Sequence, residues 1–154
     1  MSKTTHVMIT TDLSDASGVA LAAGADVAKR VGAKVTLVHV FDPMPMVPPM
    51  AMAPGYTLGE NIVAEIRASI AKGLDRQKKE ILGDVESVEI QILEGSSPAR
   101  VACEFAESAG VDLIVVGTHG RKGPSRWILG SVAERIVRIA PCSVLVARAP
   151  EGSQ

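Results

Sequence analysis

The sequence predicts an α/β fold, a parallel β-sheet of five strands with helices on both faces. Three observations lead there. Short runs of branched apolar residues alternate along the chain with amphipathic segments at helical spacing. The connections between the strand candidates are too long for hairpins, so successive strands are joined by crossovers and run parallel. The apolar content of 47% rests on Ala, Val, Ile and Leu, with aromatics at only 3%, a mix that suits small-faced helices on a sheet of branched side chains. At 154 residues the chain reads as one domain, 1–154, long enough to bury a core.

The first strand is predicted over 7–11 and ends at Asp12. Ser14 is placed to cap a helix whose small face would be Ala16, Ala20, Ala23, Val27 and Val31, closed by Gly32. A second strand follows over 34–41, apolar on both faces. After a proline-rich interval, Thr57-Leu58-Gly59-Glu60 has the capping-box pattern. The long helix it opens carries Ile62, Ile66, Ile70, Leu74 and Ile81 along one side. The run 88–93 alternates, as a half-exposed or edge strand does. Ser97-Pro98 supplies a cap and a first-turn proline. The helix behind it would bury Ala99, Ala102, Phe105, Ala106 and Ala109 and stop at Gly110. A fourth strand is predicted over 111–116. A last helix runs to about Ala140, and a fifth strand over 142–147 follows the break at Pro141.

A net charge of -1 supplies no general field for nucleic acid or an anionic membrane. No apolar run reaches the roughly 20 residues that a spanning helix needs, and no apolar segment precedes the first strand. Cys103 and Cys142 lie far apart without metal-ligand spacing. The expectation is a soluble, reduced, cytoplasmic protein that binds neither nucleic acid nor membrane.

The richest stretch is GTHGRKGPSRWILGS, residues 117–131, at the carboxyl end of the fourth strand. Ser131-Val132-Ala133-Glu134 fits a capping box, which starts the last helix at Ser131 with a buried stripe of Val132, Ile136 and Ile139 or Ala140. Gly130 then stands just before a helix N-terminus, where free N–H groups attract an anion and a missing side chain admits phosphate. Gly117 and Gly120 would form the opposite wall, with Arg121, Lys122 and Arg126 adding charge. The stretch is neither a Walker A loop nor a G-x-G-x-x-G fingerprint. On chemistry alone it serves equally as a phosphate cradle or as turns that permit tight packing.

Its spacing, Gly117-x-x-Gly120, nine residues, then Gly130-Ser131, resembles the G-2x-G-9x-G-[S/T] motif of the ATP-binding branch of the universal stress protein family. Asp12-Leu13-Ser14 is similar to the family's early Asp-x-Ser, and Gly95-Ser96-Ser97-Pro98-Ala99 to its G-x-[P]-A turn with one extra residue. The segments 113–120 and 129–134 resemble its signature regions, so the likeness covers nearly the whole chain. It implies the strand order 3-2-1-4-5, with ATP across strands one and four. Thr11 and Asp12 would stand at the ribose or adenine edge, and the backbone near Val40 at the adenine. Gly117, Gly120, Gly130 and Ser131 would hold the phosphates, with Arg121 and the Val132 N–H beside them. A divalent ion such as Mg would ride on the phosphates, since no dedicated carboxylate is evident. The resemblance also implies a homodimer joined at strand 142–148. That strand is apolar, without proline or lysine, and would make a poor exposed edge.

The reading is therefore an ATP-binding regulatory or stress-response protein rather than an enzyme, because no general base, covalent nucleophile or arginine finger is placed. Slow ATP hydrolysis would need little beyond the cradle and a metal. Two alternatives stand beside it: a dimeric interaction module independent of nucleotide, and a true nucleotide-hydrolysing enzyme. The proline- and methionine-rich loop 43–58 serves as a surface connection or as a lid or partner arm on the ligand side. His119 either touches phosphate or is solvated, His6 and His39 are satisfied core or edge strand residues, and Trp127 packs the loop onto the domain or, second, contacts a partner.

Overall fold

The computed structural model describes residues 3–44, 54, 60–118 and 129–150. Five parallel strands form one sheet in the order β3-β2-β1-β4-β5. In chain order the elements are β1 (His6–Thr10), α1 (Gly18–Val31), β2 (Lys34–Phe41), α2 (Glu60–Ile81), β3 (Val88–Glu94), α3 (Pro98–Ser108), β4 (Leu113–Gly117), α4 (Ser131–Ile139) and β5 (Ser143–Ala147). The chain winds outward from β1 through β2 to β3, then returns to place β4 on the other side of β1. The carboxyl ends of β1 and β4 are thus the point where the winding reverses, the usual ligand crevice of such sheets.

The alternation of strand side chains divides the core into two layers. Val7, Ile9, Val35 and Leu37 face α1 and α2, packing on Leu21, Ala25 and Leu74. Met8, Val38, Ile114 and Val116 face α3 and α4, packing on Ala102, Ala106, Ala133 and Ile136. At the amino end of the sheet the Asp112 carboxylate accepts hydrogen bonds from the Thr5 N–H (2.8 Å), the Thr5 hydroxyl (2.9 Å) and the His6 N–H (3.0 Å). It fastens the entry of β1 to that of β4. His6 is buried, with Nε2 2.7 Å from the Thr36 hydroxyl.

Several local expectations are corrected. Ser14 does not cap α1. A single 3₁₀ turn, Asp15–Ser17, leads into a helix that starts at Gly18, and Ser14 turns its hydroxyl back to Asp12. The buried face of α1 is Ala20, Leu21, Gly24, Ala25 and Ala28, while Ala23, Val27 and Val31 lie on its flank and Ala16 is exposed. The rotation follows from Gly24, which meets Ile9 so closely that a Cβ there would lie 2.4 Å from its Cδ1. On α4 the buried residues are Ala133 and Ile136, and Val132 and Ile139 are exposed. Ile62 of α2 is also exposed. Ser97 makes no side-chain cap, although Pro98 does open α3. The capping box at Thr57 lies outside the described residues.

Candidate functional site

β1 delivers Thr11 and Asp12 to the carboxyl end of the sheet. The Thr11 N–H donates to the Val38 carbonyl (3.0 Å), and its carbonyl accepts from Nδ1 of His39 (2.8 Å). Its hydroxyl, in a side chain only 7% exposed, meets Gln77 and Ser17 at 2.9 Å each and accepts from the Leu13 N–H at 3.0 Å. Thr11 is engaged within the protein at every polar group, which suits a support for Asp12 rather than a ligand contact.

The Asp12 carboxylate is half-satisfied. Oδ1 accepts from the Ser14 N–H (3.0 Å) and from the Ser14 hydroxyl, closing an Asx turn. Oδ2 is buried and has no hydrogen-bond partner. A buried acceptor without a partner is costly and calls for a donor. The pairing of β1 with β2 ends at Thr10↔Val38. Lys34 and Val38 direct their backbone groups toward β1, and by alternation Val40 does too. The N–H and carbonyl of Val40 therefore reach past the end of β1, beside Asp12.

On the other side of the crevice Gly117 ends β4, in register with Ala147 of β5. Gly130 is the N-cap of α4, with φ -58° and ψ 151°, and Ser131 is its first helical residue. The helix therefore starts where the sequence places it, but Gly130 and not Ser131 holds the cap. No side-chain cap closes this terminus, because the N-cap is a glycine; Glu134, one residue beyond the capping-box position, pairs with Arg138 at 2.8 Å. The Gly130 N–H donates to the Thr118 carbonyl at 2.8 Å, and its carbonyl accepts from the Glu134 N–H at 2.9 Å. Gly130 is thus built into the frame and its N–H is not the free donor that was expected. The free donors are the first-turn N–H groups of Ser131, Val132 and Ala133, at the positive end of the helix. The φ of Gly130 suits any L residue, so backbone conformation does not demand glycine there.

Gly120, Arg121, Lys122, Arg126, His119 and Trp127 lie outside the described residues, as does most of loop 43–58. Among the described residues no group of three His, Cys, Asp or Glu side chains could hold a metal. Burial pushes the thiols of Cys103 and Cys142 up, so both stay protonated and poorly nucleophilic. Gln77 was not foreseen. It lies on the apolar stripe Ile70, Leu74, Gln77, Ile81, and a lone amide at a buried helical position was the available signal.

The comparisons agree with this frame. The model of the universal stress protein family matches residues 3–148. A universal stress protein of Methanocaldococcus jannaschii is 36% identical over 145 residues, covering 94% of this chain and 82% of that protein. The solved structure of the universal stress protein UspA from Lactobacillus plantarum superposes with a TM-score of 0.77 at 26% identity, over 96% of this chain and all of that one. At 22% identity and a TM-score of 0.61, the structure of the universal stress protein from Archaeoglobus fulgidus in complex with dAMP shares the fold, over 95% of this chain and 99% of that one. With strand order, crevice and sequence in accord, this chain belongs to the universal stress protein family.

Proposed function

We propose that the protein is a regulatory nucleotide-binding protein that holds ATP across the carboxyl ends of β1 and β4. The observation that carries the reading is the unpartnered, buried Oδ2 of Asp12, at the carboxyl end of β1, across the crevice from the N-terminus of α4, where Gly130 supplies no side-chain cap. A nucleoside supplies the missing donor from a ribose hydroxyl or the adenine amino group. The Val40 backbone offers a donor and an acceptor to a base edge. Phosphates fit the first-turn N–H groups of Ser131 to Ala133 and the exposed Ser131 hydroxyl. Gly117 and Gly130 leave that approach clear of side chains, and Gly120 and Arg121 complete the loop between them. A divalent ion such as Mg would be held through the phosphates, supplying charge neutralisation there. The dAMP complex of the Archaeoglobus protein supports an adenine nucleotide as ligand class.

The role is binding rather than turnover, since the groups placed around the crevice hold and orient a ligand. We place its action as a homodimer joined along β5, in the cytoplasm, where its two free thiols stay reduced. Val144, Leu145 and Val146 of this edge strand are half-buried, and the adjacent α4 leaves Val137 and Ile139 49% and 43% exposed.

Calorimetric titration with ATP and magnesium, on protein first freed of co-purified nucleotide, tests the site. Gly130→Glu sets a carboxylate before the α4 N-terminus, which suits the helix but repels phosphate. The parent is expected to bind and the folded variant to lose at least about tenfold in affinity, the scale of one charged contact. An empty, folded parent that ignores ATP, or equal binding by the variant, would sink the reading.

A further inference from the structure

The turn that presents Asp12 is strained and is held from outside. Leu13 has φ 66°, the left-handed region, where a leucine is rarely found. Its side chain lies on Gly73 of α2, where a Cβ would come within 3.2 Å of Leu13 Cδ2. One helical turn further on, Gln77 is buried at 6% exposure. Its amide bridges both ends of the turn: Oε1 accepts from the Thr11 hydroxyl at 2.9 Å, and Nε2 donates to the Ser17 hydroxyl at 3.0 Å. The Ser17 hydroxyl passes its own proton to the Ser14 carbonyl at 2.6 Å. Thr11 receives the Leu13 N–H at 3.0 Å. With the Thr11 proton on Gln77 and the Ser17 proton on the Ser14 carbonyl, each hydroxyl gives one hydrogen bond and receives one. The 2.9 Å approach of the two hydroxyl oxygens carries no proton of its own.

This knot has no catalytic chemistry and lies behind Asp12, on the α2 side of the sheet. A buried amide that matches two hydroxyls is a poor choice for stability alone, because apolar side chains of equal volume would fill the same space at similar cost. Its geometric effect is to fix the strained segment at Thr11 and at Ser17, with Asp12 between them.

We propose that Gln77 is a positioning residue: through Thr11 and Ser17 it locks the left-handed turn that fixes the Asp12 carboxylate at the carboxyl end of β1, and so sets nucleotide affinity from α2. The proposal rests on the nucleotide reading above for its ligand, but not for the turn.

The experiment is a double-mutant cycle on the full chain. ATP affinity is measured for the parent, Gln77→Leu, Asp12→Ala and the double variant, and amide hydrogen exchange of Leu13 and Ser14 is followed without ligand. Gln77→Leu is expected to weaken ATP about tenfold, the worth of one buried hydrogen bond, and to cost nothing further once Asp12 is alanine. Exchange at Leu13 and Ser14 should accelerate by a similar factor, with β4 amides unchanged. Ser17→Ala, which removes the far anchor of Gln77 and leaves the acceptor of the Leu13 N–H in place, should reproduce both effects and serves if Gln77→Leu does not fold. Equal losses in both Asp12 backgrounds would overturn the coupling, since a purely structural residue weakens both alike. Unchanged exchange at Leu13 and Ser14 would overturn the positioning role itself. A parent that binds no ATP would remove the nucleotide reading and the ligand half of this proposal together, and the exchange result would still decide whether Gln77 holds the turn.

Discussion

At the scale of single residues, side chains that titrate or accept hydrogen bonds decide where the strands begin and how the fold responds to acid. His6 sits at 3% exposure between β1 and β2. Burial first, and then the charge of Lys34, push its pKa below 6.5, while the Ala109 carbonyl, Asp112 and Glu89 oppose them only in part. The folded protein therefore keeps His6 neutral where the unfolded chain has begun to protonate. Stability is full above the ordinary value of 6.5, falls as the pH drops through it, and levels off once the folded pKa is passed. Asp112 acts lower on the scale. The Thr5 N–H first, then the Thr5 hydroxyl and the His6 N–H, hold its carboxyl below 3.8, and stability is lost again as acid reaches that range. Urea midpoints measured against pH should show the two falls separately. His6→Gln, which can still meet the Thr36 hydroxyl but does not titrate, should remove the upper fall and leave the lower. An unchanged upper fall in that variant would assign it to another group.

At the scale of elements, the packing of α1 on β1 turns on Gly24. An alanine in a helix interior ordinarily improves on glycine by about 1 kcal/mol. Here the added methyl would lie 2.4 Å from Ile9 Cδ1 and 2.6 Å from its Cγ1, and Ile9 is wholly buried, so its side chain can move aside only by pressing on the core around it. Gly24→Ala is therefore expected to destabilise by about 1–3 kcal/mol, the usual cost of overpacking. The check is a lower urea midpoint with an unchanged slope, and a raised midpoint would show that the interface has slack. The same contact explains what the sequence made legible and what it hid. The alternation of patterns revealed the five strands, their parallel sense and the four helices, because period and crossover length are local properties. The strand order needed the family motifs, since nothing in a strand's own residues says which neighbour it takes. The face of α1 was misplaced by about one residue because glycine scores as a break in an apolar stripe, whereas here it is the point of nearest approach. The caps failed for a related reason. Ser14 and Ser131 match the pattern, but Asp12 draws the first hydroxyl away and Gly130 takes the cap from the second. Of the site, Asp12 and the start of α4 were visible from their motifs. Gln77 was not, since its partners Thr11 and Ser17 are 66 and 60 residues distant.

At the scale of the whole molecule, the two edges of the sheet are treated differently, and that difference bears on how copies assemble. β3 turns the carbonyls of Val88 and Ile92 outward, and cations from α2 cover both. Lys78 Nζ donates to Val88 at 2.8 Å, and Arg67 reaches Ile92 at a long 3.4 Å. Arg67 also pairs with Glu94 and lies 5.8 Å over the Phe41 ring, which keeps it in place along that edge. Positive charge laid on outward carbonyls blocks the pairing of another strand. Among the described residues no side chain covers the outward groups of β5. The Thr118 N–H donates to the Ala147 carbonyl at 3.1 Å, so Ser143, Leu145 and Ala147 face β4, while Val144 and Val146 face out. One closed edge and one open edge is the arrangement that permits a dimer and stops there, because a two-fold pairing of β5 with its copy consumes the open edge of both. Val144→Pro removes an outward N–H without touching the ladder to β4, a position where an edge strand tolerates proline. Light scattering after size-exclusion chromatography should find the parent a dimer and this variant a folded monomer. Lys78→Ala tests the other edge: in the proposed dimer joined at β5, an uncovered β3 can only join dimers end to end, so the mass should rise above that of the dimer as concentration increases. A parent that is monomeric at micromolar concentration, or a Val144→Pro dimer, would move the interface away from β5. A Lys78→Ala protein that stays a dimer would mean that the lysine is not what closes that edge.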